Sequence, residues 1–205
     1  MLTVGLTGNV ASGKTTVATI WSRAGVPVIR ADDLARKVVA PGTRGLSRVV
    51  EEFGPEVLRV DGGLDRDALR DRVFRDEAKR LRLEEILHPL IEARRKEWFS
   101  REQEEGSRLV VAEIPLLFEA GLEGGFGVVV LVVAPREVCL RRLTEDRGLD
   151  PEEASRIMGA QIPVEEKIPR VDYVLENGST TEDLELRALA LLDLLRARAR
   201  KEEVT

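Results

Sequence analysis

The segment Gly8-Asn-Val-Ala-Ser-Gly13-Lys14-Thr15 determines the fold class of this chain, because it matches the pattern G-x4-G-K-S/T at every specified position. Residues 2–7, before the segment, alternate apolar and β-branched side chains and predict a strand. Residues 14–23, after it, have helical periodicity, and Gly25 predicts the end of that helix. A glycine-rich turn in this context is a phosphate-binding loop, since glycines let successive backbone N–H groups converge on phosphate oxygens.

The positions of this phosphate loop have expected roles in holding a nucleotide. The helix that follows adds its dipole and its free N–H groups. Lys14 is expected to reach the β- and γ-phosphates, and the Thr15 hydroxyl is expected to ligate magnesium. We therefore predict that ATP and Mg²⁺ are bound by the loop and the first helical turn, through Gly8, Ala11, Ser12, Gly13, Lys14, Thr15 and Thr16.

The rest of the chain predicts a doubly wound α/β fold with a five-stranded parallel sheet. Residues 109–112 and 128–134 are nearly continuous apolar runs, which are typical of strands buried on both faces. Shorter strands are predicted at 27–29 and 171–175. A helix-rich stretch at 43–105 is inserted after the second strand and is punctuated by glycine and proline, including His88-Pro89. Later helices are predicted at 136–147, 151–160 and 181–200.

Composition restricts the possible partners. The formal net charge of -5 argues against a nucleic-acid binder with a broad basic surface. The longest apolar run, 128–134, is too short to span a bilayer. Cys139 is the only cysteine, so the chain has no intramolecular disulfide, which fits a reducing compartment. We expect a cytoplasmic protein that binds small molecules, with no nucleic-acid or membrane partner and no obligate protein partner.

The phosphate loop favours a small-molecule kinase over other nucleotide-binding classes. No Asn-Lys-x-Asp tetrapeptide occurs, so the guanine-reading element of a GTPase is missing. The strand that ends in Glu113 is compatible with a longer ATPase as well, but the short chain and the helical insertion favour a kinase. Two alternatives stay open: another nucleoside or nucleotide kinase with the same core, and a nucleotide-dependent regulatory switch.

Two aspartates follow the second predicted strand, where ligands lie in doubly wound folds. A kinase that acts on a hydroxyl profits from a carboxylate near the acceptor oxygen, and Asp32 or Asp33 can supply it. The other interpretation is structural: Asp32 begins a helix and pairs with Arg36 one turn later. The residues alone leave both interpretations open.

Motifs along nearly the whole chain carry a resemblance to one known family. They are Gly5-Leu6-Thr7-Gly8 with Ser12-Gly13-Lys14, Arg30-Ala31-Asp32, Leu64-Asp65-Arg66, Val73-Phe74, His88-Pro89-Leu90-Ile91, Pro115-Leu116-Leu117-Phe118-Glu119, Arg142, Gln161, Lys167 and Asn177-Gly178. With these motifs the chain resembles the dephospho-coenzyme A kinases. It departs from that pattern at Arg30, where the family usually has an aspartate.

The resemblance implies ATP-dependent phosphorylation of the ribose 3′-hydroxyl of dephospho-coenzyme A. It also implies a nucleotide-binding core (1–31, 108–139 and 168–205), a helical substrate domain (32–107) and a small helical lid (140–167). Asp32 would be the base, and Arg142 would neutralise charge on the transferring phosphoryl group. The expected substrate contacts are Thr7, Asp32, Asp33, His88 and Leu116. From the residues alone, His88 is a turn residue before a helix that begins at Pro89.

Overall fold

A single parallel sheet organises the structure, a computed structural model that describes residues 1–73 and 76–202. Within these residues the sheet has five strands in the order β2-β3-β1-β4-β5. The strands are β1 (Leu2–Gly8), β2 (Val28–Arg30), β3 (Leu109–Glu113), β4 (Val128–Val133) and β5 (Tyr173–Glu176). Every neighbouring pair is parallel. This arrangement confirms the predicted doubly wound α/β fold.

The central strand β1 places the phosphate loop at the carboxyl edge of the sheet. Leu6 of β1 is in register with Glu113 at the end of β3, and Gly8 is in register with Val132 near the end of β4. Both neighbouring strands are apolar and almost entirely buried, as the continuous runs predict. The loop that follows Gly8 is therefore flanked by the carboxyl ends of two buried strands, where ligands bind in this class of fold.

Helices in the described residues flank every strand of the sheet along the chain, and the first and last helices pack against the sheet. Trp21 of the first helix is fully buried, and its Nε1 donates to the Ala188 carbonyl of the last helix at 2.8 Å. The helices are α1 (Lys14–Arg23), α2 (Ala31–Val38), α3 (Arg44–Phe53), α4 (Arg66–Val73), α5 (Glu77–Glu104), α6 (Arg136–Arg141), α7 (Pro151–Gly159), α8 (Val164–Lys167) and α9 (Thr181–Glu202). None of the helices in this part of the chain is both long and apolar enough to cross a membrane.

The chain divides into two compact units: Met1–Arg30 together with the residues from Glu102 onward, and Ala31–Arg101. The second unit has an apolar core of its own, formed by Val38, Val39, Leu46, Val49, Phe53, Val57, Leu64, Leu69 and Ile86. The unit corresponds closely to the stretch predicted as a substrate domain, although that role and the predicted lid at 140–167 stay predictions. Phe74, part of a motif quoted above, lies outside the described residues.

Helix α5 passes through Pro89 without a break, which corrects the prediction that His88-Pro89 separates two segments. A proline inside a helix removes one backbone hydrogen bond and costs about 3 kcal/mol. Packing around the proline offsets that cost: Ile86 lies in the core of its unit, and Leu87, Leu90 and Ile91 pack against it. Tertiary burial therefore overrides the local signal.

Candidate active site

The phosphate loop curls through two residues with positive φ. Ala11 has a φ of 59° and Gly13 a φ of 97°, and helix α1 begins directly afterwards at Lys14. A Cβ atom on Gly13 would lie 2.1 Å from Nδ2 of Asn177, and one on Gly8 would lie 2.5 Å from the Val132 carbonyl oxygen. Both glycines are therefore required by close packing, and Gly13 also by its backbone conformation.

Asn177 holds the loop from the end of β5. Its side chain is almost fully buried and donates from Nδ2 to the Ser12 carbonyl at 2.7 Å. Asn177 belongs to the motif Asn177-Gly178 quoted above but was not predicted to be a site residue. A signal existed, because a polar residue that follows a strand of a parallel sheet lies at the same edge as the phosphate loop.

Arg142 reaches the same part of the loop from the residues after β4. It begins a π-helical turn, Arg142–Asp146, that continues α6; such turns are frequent at functional sites. Nη1 donates to the Ala11 carbonyl at 3.0 Å, and Nη2 donates to Oδ1 of Asn177 at 3.3 Å. The structure therefore brings the arginine predicted to act in catalysis into direct contact with the phosphate loop.

A cavity of about 320 Å³ opens beside these groups. Three of its side chains are cationic, namely Lys14, Arg142 and Arg147, and one, Asp146, is anionic. This excess of positive charge next to the N-terminus of α1 suits a polyphosphate. The other lining residues are Ala11, Gly13, Thr15, Thr16, Asn177, Ser179, Thr181 and Leu184. Of these, Ser179, Thr181 and Leu184 were missed by our sequence analysis.

Thr15 and Glu113 form a pair of oxygen groups at the base of the loop. The Thr15 hydroxyl donates to Oε1 of Glu113 at 2.5 Å. Nε of Arg30 lies 3.1 Å from the other carboxylate oxygen as an ion pair, and that buried oxygen accepts no hydrogen bond from the described residues. Arg30 also donates to the Thr19 hydroxyl at 3.0 Å. The residue that departs from the family pattern therefore neutralises the acid at the end of β3.

The remaining predicted residues of this unit differ in their surroundings. Thr7 is fully buried, and its hydroxyl lies 3.4 Å from the Pro115 carbonyl, to which it donates. Leu116 is 50% exposed in the loop after β3. Ser12, in the phosphate loop, is buried. Thr16, in the first turn of α1, is exposed.

Three predicted residues belong to the second unit, and the structure corrects two local interpretations of them. Asp32 and Asp33 lie exposed in the first turn of α2. Arg36 pairs with Asp33 at 3.5 Å and not with Asp32, because the spacing of three residues also brings side chains together on a helix. The Asp32 carboxylate has no hydrogen bond or ion pair within the described part of the chain. His88 is exposed inside α5 and is not a turn residue.

Comparisons with known proteins agree with this geometry. A family model described as dephospho-CoA kinase matches residues 2–183. A dephospho-CoA kinase from Anaeromyxobacter dehalogenans is 45% identical over 202 residues, which cover 98% of this chain and 96% of the relative. A crystal structure from Thermus thermophilus superposes with a TM-score of 0.82 and 40% identity, covering 95% of this chain and 97% of that one. A dephospho-CoA kinase structure from Campylobacter jejuni has a TM-score of 0.73 and 27% identity, covering 94% of this chain and 96% of that one.

Proposed function

The chain belongs to the dephospho-CoA kinase family, and from that membership we propose that Asp32 is the base for transfer of the γ-phosphoryl group of ATP to the ribose 3′-hydroxyl of dephospho-coenzyme A. ATP and dephospho-coenzyme A are the substrates. The products are ADP and coenzyme A, so the reaction completes the synthesis of coenzyme A. Lys14, Thr15 and Arg142 act on the phosphates.

The observation that carries the proposal is the cavity in which the phosphate loop, Lys14 and Arg142 meet. Phosphoryl transfer needs little covalent chemistry from the protein, because positioning and charge neutralisation provide most of the rate enhancement. Arg142 donates to a loop carbonyl at 3.0 Å and lines the cavity together with Lys14, so its guanidinium can exchange that carbonyl for a γ-phosphate held by the loop. We propose this exchange of partners as its catalytic role.

The oxygen groups of Thr15 and Glu113 fit a magnesium ion. The Thr15 hydroxyl uses its proton in the hydrogen bond to Glu113, so the lone pairs of the hydroxyl oxygen remain available to a hard cation. Oε1 of Glu113 is the carboxylate oxygen on the Thr15 side, whereas the other oxygen is buried and ion-paired with Arg30. In residues 1–73 and 76–202, no group of three or more acidic, His or Cys side chains is arranged to hold a metal ion by itself. When bound, magnesium neutralises charge on the β- and γ-phosphate oxygens.

Asp32 is connected to this region through β2. Arg30, the last residue of β2, contacts Glu113, and Asp32 follows two residues later. The absence of a pairing partner for Asp32 in the described residues leaves its carboxylate free to accept the proton of the acceptor hydroxyl.

An ADP-release assay with different acceptors tests the function. Dephospho-coenzyme A, nucleosides and water are offered in turn, and we expect strong stimulation by dephospho-coenzyme A alone. Stimulation by a nucleoside instead would support the alternative kinase, and slow release with water alone would support the regulatory switch. Either result would contradict the proposed function.

The role of Asp32 is tested by Asp32→Asn. Turnover should fall by roughly 10²-fold or more, which is the usual contribution of a general base, while ADP binding is kept. Asp67→Asn is the matched control, since Asp67 is also an exposed aspartate in the first turn of a helix, α4. If Asp32→Asn turned over as fast as Asp67→Asn, Asp32 would have no part in catalysis.

The role of Thr15 is tested through the dependence of nucleotide affinity on magnesium. Thr15→Ser keeps the hydroxyl and should keep the difference in ADP affinity with and without Mg²⁺, whereas Thr15→Val should reduce that difference clearly. Equal Mg²⁺ dependence in both variants would remove Thr15 from the metal site.

We further propose that the enzyme works in the cytoplasm on these small molecules, without an obligate protein partner.

A further inference from the structure

Lys167 is a buried charge that the reaction described above does not use. It is the last residue of α8 and is 0% exposed. Lysine is almost never fully buried unless its ammonium group is paired, because an unpaired charge in the protein interior is strongly destabilising. Complete burial also keeps the Lys167 ammonium away from any ligand in the neighbouring cavity. The partners of the Lys167 ammonium therefore indicate its role.

The Lys167 ammonium has two oxygen partners and one aromatic neighbour. Nζ donates to Oε1 of Glu119 at 2.9 Å and to Oδ1 of Asn9 at 2.8 Å. It also lies 6.0 Å from the centroid of the Phe118 ring. Glu119 in turn accepts from the backbone N–H of Ile162 at 3.1 Å. Burial alone would raise the pKa of Glu119, but the hydrogen bonds, first of all that from Lys167, hold this pKa below its usual value.

The Asn9 contact links Lys167 to the phosphate loop. Lysine is only a donor, so it fixes Oδ1 of Asn9 towards Nζ and thereby turns Nδ2 of Asn9 towards the Ile162 carbonyl, 3.4 Å away. The next loop residue, Val10, donates its backbone N–H to Oε1 of Gln161 at 2.7 Å. We call Glu119, Gln161, Ile162 and Lys167 the outer clamp.

The outer clamp contacts the half of the loop that does not line the nucleotide cavity. Arg142 and Asn177 bind the carbonyls of Ala11 and Ser12, which belong to the half next to the cavity. The outer clamp binds Asn9 and Val10. With both halves held, the loop is curved for phosphate before any nucleotide arrives, so binding does not have to order it.

We propose that Lys167 is a positioning residue for phosphoryl transfer, which strengthens polyphosphate binding by fixing Asn9 and through it the first half of the phosphate loop. The proposal rests on the proposed function, since it assumes that the loop binds the phosphates of ATP. Lys167 acts through Asn9 and does not touch the nucleotide.

The test compares Lys167→Met with Arg170→Met. Methionine keeps the length of the side chain and removes its charge and donors. Arg170 is the matched control, because it pairs with Glu123, lies 4.7 Å from the same Phe118 ring and, within the part of the chain that the structure describes, makes no hydrogen bond or ion pair with the phosphate loop. Calorimetry measures the affinity of each variant for ADP and for inorganic tripolyphosphate, which probes the loop without the nucleoside. Steady-state kinetics gives KM for ATP and for dephospho-coenzyme A.

Lys167→Met should weaken ADP and tripolyphosphate binding about tenfold, because Asn9 and Glu119 lose their buried donor. KM for ATP should rise while KM for dephospho-coenzyme A stays within about twofold, and Arg170→Met should match the wild type in all four values. If the Lys167–Glu119 ion pair were purely structural, Lys167→Met would lower the melting temperature without this selective change in binding and KM. Wild-type affinity for tripolyphosphate in Lys167→Met would overturn the proposal.

Gln161→Ala carries the test if Lys167→Met does not fold, since it frees the Val10 N–H without leaving a buried charge. Weaker tripolyphosphate binding in Gln161→Ala supports the outer clamp, and unchanged binding overturns it. The proposed function fails in a different way: wild-type protein that binds neither ADP nor tripolyphosphate would remove the premise itself.

Discussion

Replacing Gly13 by alanine tests whether the shape of the phosphate loop depends on the contact with Asn177. Gly13 has a φ of +97°, and an added Cβ would lie 2.1 Å from Nδ2 of Asn177. No real Cβ contact is that short, so the amide group has to move. It would then lose its hydrogen bond to the Ser12 carbonyl, which is 2.7 Å long.

The magnitude follows from two contributions. Leaving the buried amide group of Asn177 without its partner costs about 1–3 kcal/mol. An alanine at this φ adds about 1–2 kcal/mol of backbone strain. We therefore expect Gly13→Ala to lower the free energy of unfolding by roughly 3 kcal/mol, a large share of the stability of a typical domain.

Urea unfolding followed by far-UV circular dichroism measures this change, and Gly25→Ala is its control. Gly25 has a φ of +84° and no atom within 4 Å of an added Cβ, so its replacement introduces backbone strain alone. We expect Gly25→Ala to cost about 1–2 kcal/mol. Gly13→Ala should also weaken ADP binding, whereas Gly25→Ala should not.

A double-mutant cycle isolates the contact itself. In an Asn177→Ala background the clashing amide group is gone, so Gly13→Ala should cost only the backbone strain. The two substitutions should therefore couple by about 1–2 kcal/mol. The reasoning is refuted if Gly13→Ala destabilises the protein no more than Gly25→Ala, or if the effects of Gly13→Ala and Asn177→Ala simply add.

Three further predictions concern side chains of the same unit. Trp21→Phe removes the donor to the Ala188 carbonyl and leaves a cavity, so it should lower the free energy of unfolding by about 2–3 kcal/mol in urea titrations. Cys139 is buried, and burial raises the pKa of its thiol despite the nearby positive charges, so a thiol reagent at pH 8 should modify native protein at least about 10²-fold more slowly than urea-unfolded protein. The pKa of Glu119 is lowered in the folded state, so its ionic stabilisation is present above the unfolded pKa and is lost as the pH falls through the folded value. Glu119→Gln should therefore flatten the fall in melting temperature below about pH 5, and an unchanged acid limb would contradict this.

The parallel sheet could be predicted from the sequence because its signals are local. The run at 128–134 is apolar at every position, and β4 occupies Val128–Val133 with nearly all side chains buried. The glycine pattern fixed the end of β1 and the start of α1, since few backbone paths other than a phosphate loop need glycines at that spacing. Neither inference needs knowledge of a distant residue.

The side chains that hold the loop could not be predicted in the same way. Asn177 binds a carbonyl 165 residues away, and Arg142 binds one 131 residues away. Every residue has a backbone carbonyl, so the residue type of the donor says nothing about which carbonyl it binds. The structure was needed to show that both donors bind neighbouring residues of one turn.

Local rules failed where packing or a competing neighbour outweighed them. A proline ends most helices, yet α5 continues through Pro89 because Ile86 and its neighbours are packed in a core. Arg36 had two aspartates within one helical turn, and the sequence alone did not show that Asp33 would be the partner. That outcome matters for function, because it leaves Asp32 without a competing cation on its own helix turn.

The conformation of the phosphate loop therefore depends on tertiary contacts as much as on its own sequence. The eight residues from Gly8 to Thr15 contain the glycines and the lysine, but the side chains that fix their backbone come from residues 142–177. These groups bind different halves of the loop: Asn9 and Val10 on the one hand, and Ala11 and Ser12 on the other. A kinase that releases its product must open this arrangement and one that excludes water must close it. The lid predicted at 140–167 contains both Arg142 and Lys167, so a movement of that lid would reach both halves of the loop at once and would couple the closing of the site to the position of the phosphates.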